Sequence, residues 1–250
     1  IQNGNSYWVG FFVALFAGAA LGALLDILVM RPLSNKKKTE LLSSESMRAA
    51  IPVIASLGIL GVLQALAGII WAAEERGFPA PAAQEGFTVA GSVMPFTSFD
   101  VFVISIVLVT LTMTTIFFKK TGVGLAMRAT ALNQEVARLS GIRTNFTRTL
   151  SWAISGAASS LAGLLITPTS NLSPNTLDLV LIIGFTAAVV GGLDSPAGAV
   201  LGGFILGLVI SFVTFYLSPE DVFLSILAVL LIVLIVKPRG ILGGKDSRRV

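Results

Sequence analysis

The chain has 250 residues, of which 54% are hydrophobic and only 12% charged, and its net charge is +4. A soluble domain carries about twice that charged fraction, so the composition indicates an integral membrane protein rather than a soluble or nucleic-acid-binding one. Because the chain has neither Cys nor His, disulfides, thiolate catalysis, haem ligation by His and most zinc sites are excluded, and we expect no metal and no cofactor.

Seven apolar segments follow one another, which predicts an all-α, polytopic membrane helix bundle formed as a single transmembrane domain over 1–250. A straight helix needs about 20 residues to cross the hydrocarbon core; the fifth and seventh segments are shorter than that. The fifth and sixth can therefore be either two spans or a re-entrant or broken pair within 177–217. In chain order the segments are 8–30, 49–73, 99–118, 149–167, 177–193, 196–217 and 222–236.

Lysine and arginine are concentrated in three regions of the chain. The loop 31–48, the region 119–150 and the tail 237–250 together hold 16 of the 17 basic residues. These regions lie on one side of the membrane if every segment crosses, and the positive-inside rule then makes them cytoplasmic. We therefore predict a multi-pass protein of the cell inner membrane. Since the chain begins with Ile1 rather than Met, we also expect that an N-terminal part is missing.

The stretch 124–141 lies between the third and fourth segments and is too polar to span. Its apolar residues recur every three or four positions, which predicts one amphipathic cytoplasmic helix, and Gly141 suits a left-handed stop at its end. Such a helix can lie on the inner membrane surface and bind anionic lipid. It can also dock in a protein groove, which its small apolar residues favour. The apolar residues that recur along the stretch are Leu125, Ala129, Leu132, Val136 and Leu139.

Polar residues inside predicted spans need partners. Asp26, near the inner end of the first segment, can reach Arg31 if the helix ends at Met30; a structural ion pair and a gating role are both open. Gln64 requires hydrogen-bond partners, either on a neighbouring helix or in a transport path. Asp100 is interpreted as a helix-start residue that complements the helix dipole.

Small residues recur at four-residue spacing within four of the spans, which predicts close approach of neighbouring helices. These pairs are Gly18/Gly22, Ser159/Gly163, Gly198/Gly202 and Gly203/Gly207.

Four stretches of the chain, in this order and spacing, resemble the permease subunits (LivH type) of ABC importers for branched-chain amino acids. That family's N-terminal spans are absent here, which agrees with a missing N-terminal part. The four stretches are Asp26 followed by Arg31-Pro32, the region 124–142 (GLAMRATALNQEVARLSGI), the glycine-rich turn 188–203 (AVVGGLDSPAGAVLGG) and the region 237–243 (KPRGILG).

The resemblance implies a transport subunit and not an enzyme. A second permease subunit, forming a heterodimer with this chain, would complete the path within the membrane lipid. Two cytoplasmic ATPase subunits would use the ATP, in agreement with the absence of a Walker A motif from this sequence. An extracytoplasmic solute-binding protein would deliver the solute, and nucleic acid would play no part.

The resemblance also implies roles for particular residues. The region 124–141 would be the coupling helix that docks on an ATPase subunit. Its docking residues would be Arg128, Ala129, Leu132, Asn133, Glu135, Ala137 and Gly141. Residues of the path or its gate would be Asp26, Gln64, Gly191 and Gly192.

Two alternatives to a branched-chain amino acid importer stay open. A related importer for urea or short amides would share the scaffold. A self-contained channel or ion-coupled carrier would instead need an intramembrane carboxylate pair or a proton relay, whereas the spans carry only Asp26 and Asp100, at opposite ends of different segments. For the importer, we expect a bulky charged residue at position 129 or 137 to uncouple ATP hydrolysis from uptake.

Overall fold

Each of the seven predicted apolar segments is helical over most of its length in the structure, a computed structural model that describes residues 7–33, 45–71, 76–83, 85–89, 92–193 and 195–243. The helices that contain these segments are α1 (Tyr7–Leu25, continuing through a π-helical turn at Asp26–Met30 and a last turn at Arg31–Leu33), α2 (Glu45–Trp71), α3 (Ser98–Lys120), α6 (Thr144–Ser170), α7 (Asp178–Gly191), α8 (Pro196–Tyr216) and α9 (Val222–Val236). The region between α3 and α6 forms two shorter helices, α4 (Gly122–Leu132) and α5 (Gln134–Leu139).

Six helices of the described chain are long and apolar enough to cross a membrane, where α9 is counted together with the 3-10 turn Pro219–Asp221 that precedes it. The exception is α7, whose 14 residues extend about 21 Å at 1.5 Å per residue, against a hydrocarbon core of about 30 Å. The prediction of an α-helical membrane protein is confirmed, with six spanning helices where seven apolar segments were counted. The basic residues of 34–44 and 244–250, which were used to predict orientation, lie outside the described residues.

A small β-hairpin departs from the all-α prediction. Strands β1 (Gly86–Val89) and β2 (Ser92–Thr97) pair antiparallel in the region that connects α2 to α3. The residues of both strands are rich in β-branched and aromatic types, which favour a pleated strand. Thr97 ends β2 and caps α3: its Oγ1 accepts from the Asp100 N–H at 3.1 Å, and Asp100 Oδ2 accepts from the Thr97 N–H at 2.8 Å. The interpretation of Asp100 as a helix-start residue is thereby confirmed.

The chain divides into two compact units, residues 1–175 and 176–250. In the first unit, α1 packs along α6 through glycines. A Cβ atom at Gly18 would overlap Ser160 and the Gly156 carbonyl, and one at Gly22 would overlap the Trp152 carbonyl. The predicted close approach is confirmed here, because backbone meets backbone where a side chain would otherwise separate the helices.

In the second unit, α7 packs against α8 in the same way. A Cβ atom at Gly198 would overlap the Gly191 carbonyl, and one at Gly202 would overlap the Ala187 carbonyl. Gly207, further along α8, has no atom of the described residues within 4 Å of such a Cβ. The small-residue contact therefore lies within the first half of α8.

Pro196 opens α8 at the position where proline is well tolerated, since its missing N–H would have no helical partner there. The preceding Ser195 is the N-cap, and its Oγ accepts from the Gly198 N–H at 3.0 Å. This start of a helix at the end of the glycine-rich turn agrees with the predicted segment boundary at 196.

Candidate functional site

The polar segment, residues 124–141, is broken into two helices at Asn133, and this corrects the single helix predicted from its periodicity. Asn133 is extended (φ −154°, ψ 107°) and ends α4. Its Oδ1 accepts from the N–H groups of Glu135 and Val136 at 3.0 and 3.1 Å, which makes it the N-cap of α5. A short polar side chain that bonds the backbone two and three residues ahead starts a new helix in preference to continuing the old one.

A tight corner between α3 and α4 fixes where the polar segment begins. Thr121 lies at the corner; its Oγ1 donates to the Phe117 carbonyl at 2.6 Å and accepts from the Gly124 N–H at 3.0 Å. Gly124 is buried, and a Cβ atom there would overlap the backbone of Phe117 and Phe118. The glycine is therefore required because α4 turns back directly onto the end of α3.

The other end of the segment has the predicted left-handed stop. Gly141 has a φ of +82°. The Ile142 N–H bonds the Ala137 carbonyl at 3.0 Å and the Gly141 N–H bonds the Arg138 carbonyl at 3.1 Å. This pair of bonds is a Schellman motif, which satisfies the last carbonyls of α5 and leads the chain into α6.

The polar segment packs one face on α6. Met127 and Ala137 are buried, and the Oγ1 atoms of Thr130 and Thr147 lie 3.2 Å apart in a hydrogen bond. Ala137, predicted to dock on a partner, is only 3% exposed, so its side chain is covered by this chain itself. Ala129 is half-buried. Of the predicted docking residues, Ala137 is therefore covered within this chain and Ala129 only partly.

Three apolar side chains of the polar segment are exposed. Leu132 is 89% exposed and Leu139 is 88% exposed, and each ends one of the two helices. Val136 lies between them in the sequence and is also exposed. We call these three residues the apolar face. The remaining predicted docking residues, all exposed, are Arg128, Asn133, Glu135 and Gly141.

A groove of about 250 Å³ separates part of the polar segment from α6. Most of its lining surface is apolar, and Arg148 of α6 forms part of its wall. The two elements thus touch at the Thr130–Thr147 hydrogen bond and stay apart beside it. The groove is lined by Met127, Thr130, Ala131, Gln134, Thr147, Arg148 and Ser151.

Asp26 is completely buried and forms ion pairs with two arginines. Arg31 Nε donates to its Oδ2 at 3.3 Å, and Arg148 Nε lies 2.8 Å from its Oδ1. Thr149 Oγ1 donates to Asp26 Oδ2 at 2.5 Å and accepts from Arg31 Nη2 at 2.6 Å. We call Asp26, Arg31, Arg148 and Thr149 the carboxylate cluster. An isolated charge buried in this way would be strongly unfavourable, and the two guanidinium groups compensate it.

The Asp26–Arg31 pair forms for a different reason from the one predicted. The helix does not end at Met30 but continues to Leu33 through the π-helical turn. The Arg31 N–H bonds the Asp26 carbonyl, an i to i+5 bond that places the two residues one above the other. The π-helical turn therefore supplies the geometry that an α-helix denies to residues five apart.

Arg148 and Thr149 were missed by the sequence analysis. They are 122 and 123 positions away from Asp26, and no local spacing indicates that contact. The one available signal was the position of Arg148, a charge next to the start of a predicted apolar span, where it needs a partner. The structure supplies that partner from α1.

Gly191 and Gly192, predicted to belong to a path or gate, contact the C-terminal turn, residues 237–243. The N–H groups of Ile241 and Leu242 donate to the carbonyls of Val190 and Gly191 at 2.8 and 2.9 Å. These are carbonyls of the last turn of α7, which have no partner within the helix. Two of the four stretches that carry the family resemblance are thus joined by main-chain hydrogen bonds. Gln64, the remaining predicted residue, lies half-buried on α2.

Comparison with known proteins gives one family and several relatives. Residues 1–235 match the family described as "Branched-chain amino acid transport system / permease component". The probable branched-chain amino acid transport permease protein LivH of Methanocaldococcus jannaschii is 36% identical over 131 residues, which cover 50% of this chain and 42% of that protein. The high-affinity branched-chain amino acid transport system permease protein LivH of Salmonella typhimurium is 29% identical over 246 residues, or 96% of this chain and 76% of that protein.

A sugar permease is also similar. The fructose import permease protein FruF of Bifidobacterium longum is 26% identical over 226 residues, which cover 84% of this chain and 56% of that protein. No solved structure matches the chain.

Proposed function

The chain belongs to the family of permease components of branched-chain amino acid transport systems, and from this premise we propose how it works within an ABC importer. As a member it is a multi-pass, inner-membrane transport subunit. We propose that it pairs with a second, different permease subunit, that two ATPase subunits bind from the cytoplasm, and that an extracytoplasmic binding protein delivers leucine, isoleucine or valine.

The apolar face of the polar segment is the observation that carries this proposal. A polar region outside the membrane that exposes two leucines almost fully is typical of a protein-binding surface. Charges of both signs accompany it, Arg128 and Arg138 beside Glu135, and all three are exposed. A surface that binds anionic lipid would instead be uniformly basic. The mixture therefore favours a protein, and in this family the protein is the ATPase subunit.

The orientation of the chain in the membrane follows from the assignment of an ATPase subunit as the partner of the polar segment. The polar segment lies between α3 and α6, and ATPase subunits lie in the cytoplasm, where ATP is found. The hairpin β1–β2 then lies on the opposite side of the membrane from α4 and α5, because α3 connects the two and is long enough to span. This agrees with the positive-inside rule, which makes 119–150 cytoplasmic.

The choice of solute rests on the relatives. Both LivH proteins are named as transporters of branched-chain amino acids, and the more distant FruF is named for fructose. Proteins similar to this chain are thus named for more than one class of solute. An importer for urea or short amides is the second candidate within the family, and uptake of labelled leucine against labelled urea separates the two.

A self-contained, ion-coupled carrier is disfavoured by the carboxylate cluster. Such a carrier binds and releases its coupling ion at a carboxylate within the membrane. Asp26 is instead held by two guanidinium groups and a hydroxyl. A carboxylate compensated in this way has little affinity for a further cation, because its charge is already neutralised.

Glutamate substitutions at the apolar face test the proposal. In the intact importer, purified with its ATPase subunits, Leu132→Glu and Leu139→Glu should reduce both ATPase co-purification and leucine uptake, since each places a charge in an apolar contact. Leu172→Glu is the matched control, because Leu172 is also exposed but follows α6 at its far end. Wild-type co-purification and uptake in both apolar-face variants would remove the docking assignment.

A further inference from the structure

The start of α6 contacts two different elements through consecutive residues. Thr147 is hydrogen-bonded to Thr130 of the polar segment. The next two residues, Arg148 and Thr149, hold Asp26 of α1. A rigid helical turn connects these contacts, because the three residues lie within one turn of α6. The polar segment and the end of α1 are therefore joined through a single turn of a third helix.

The π-helical turn gives α1 a local irregularity at the point of contact. On the N-terminal side of this turn, α1 is held tightly against α6 by Gly18, Gly22 and Gly156, where backbones meet without side chains between them. At the π turn itself, the contact changes to ion pairs and hydrogen bonds. A π-helical turn in an otherwise regular helix frequently marks a functional site. The polar contact thus lies where α1 changes its hydrogen-bonding pattern.

We infer that Arg148 and Thr149 are positioning residues that carry movement of the polar segment to α1 through Asp26. This inference rests on the proposed function, in which an ATPase subunit moves the polar segment. When α4 and α5 move, the Thr130–Thr147 contact moves the first turn of α6, and Arg148 and Thr149 move Asp26 with it. The polar end of α1 follows, and the path opens or closes at the side where the π turn lies.

The charge of the cluster makes this connection sensitive to single substitutions. One carboxylate faces two guanidinium groups, so the cluster has a net charge of +1 with Asp26 ionised. Asp26→Asn removes the carboxylate that both arginines share, and Arg148→Gln removes the charged group that α6 contributes to the cluster. The double variant Asp26→Asn/Arg148→Gln keeps the net charge at +1 and removes the ion pair between the helices.

The test is the number of leucine molecules transported for each ATP hydrolysed, measured with the intact importer in proteoliposomes. Thr149→Val, which removes one hydroxyl at nearly constant volume, should lower this ratio about fivefold or more, the lower range of allosteric coupling. Thr112→Val is the matched control, because the Thr112 hydroxyl bonds its own helix, at the Leu108 carbonyl, 2.8 Å away. The control should keep the wild-type ratio.

The double variant separates transmission from stability. Relative to Asp26→Asn alone, Asp26→Asn/Arg148→Gln should recover thermal stability, since the guanidinium that faced the lost carboxylate is removed as well, but its transport ratio should stay low. Recovery of both stability and ratio in the double variant, or a normal ratio in Thr149→Val, would show that the cluster serves stability alone and would overturn the inference. A wild-type complex that does not couple ATP hydrolysis to leucine uptake would instead contradict the proposed function.

Discussion

Gly240 of the C-terminal turn lies so close to Gly192, just after α7, that a Cβ atom on Gly240 would overlap the Gly192 backbone. Both glycines have positive φ angles, +79° and +111°, which other residues adopt only with strain. The contact brings the N–H groups of Ile241 and Leu242 to the end of α7. The last carbonyls of α7 lack partners within that short helix, and N–H groups from a distant part of the chain donate hydrogen bonds to them.

Gly240→Ala is therefore expected to destabilise the protein. The positive φ alone costs about 1–2 kcal/mol for a residue with a Cβ atom, and overlap with Gly192 adds to it. The measurement is the thermal unfolding midpoint in detergent, which should fall. Gly184→Ala on α7 is the matched control, because a Cβ atom there would have no neighbour within 4 Å in the described part of the chain; it should leave the midpoint unchanged or raise it. Equal midpoints for both variants would argue against the contact.

Gly156→Ala should separate α1 from α6. A Cβ atom at this position would overlap the Gly18 carbonyl, so the helices must move apart to accommodate it. We expect loss of thermal stability and weaker yield in the membrane. Gly207→Ala provides the comparison, since its surroundings are open. If Gly156→Ala were as stable as Gly207→Ala, the close approach of α1 and α6 would not be needed for folding.

Asn133→Ala should unwind α5 by removing its N-cap. Replacement of such a cap by alanine costs about 1 kcal/mol, and α5 has only six residues with which to resist it. Amide hydrogen exchange in 134–141 should become faster. Asn133→Ser keeps a capping oxygen and should retain slow exchange. Slow exchange in the alanine variant would show that the Asn133 side chain is dispensable for the two-helix arrangement.

The absence of native cysteines makes the orientation measurable with single-cysteine variants. Ala83, before the hairpin, and Ser140, at the end of α5, are both exposed. A membrane-impermeant thiol reagent applied to intact cells should label Ala83→Cys, and it should label Ser140→Cys only after the membrane is permeabilised. The reverse pattern would place the polar segment outside the cell and would exclude an ATPase as its partner.

The helices and their termini could be predicted from sequence, whereas the contacts between distant residues could not. Apolar length predicted the spans, including the helix start at 196, and local chemistry predicted the stop at Gly141, because these features depend on a few adjacent residues. The break at Asn133 was missed because the apolar spacing of three and four residues continues across it. The burial of Ala137 was missed because periodicity identifies two faces without indicating which one packs on the protein.

Asp26 illustrates the remaining difficulty. Its need for a partner follows from its position in an apolar segment, and Arg31 was found nearby. Arg148 comes from a helix more than a hundred residues later, and only the packing of α1 on α6 brings it within 2.8 Å. The π-helical turn that aligns Arg31 has no recognised sequence signature.

Photocrosslinking from the apolar face in the assembled importer identifies what covers it. A photoreactive residue would be placed at position 132 or 139, with position 172 as the control, in cells that express every subunit. We predict crosslinks from 132 and 139 to the ATPase subunit and none from 172. Crosslinks from 132 and 139 to phospholipid alone, with the ATPase present, would show that the polar segment lies on the membrane and does not transmit ATP-driven movement.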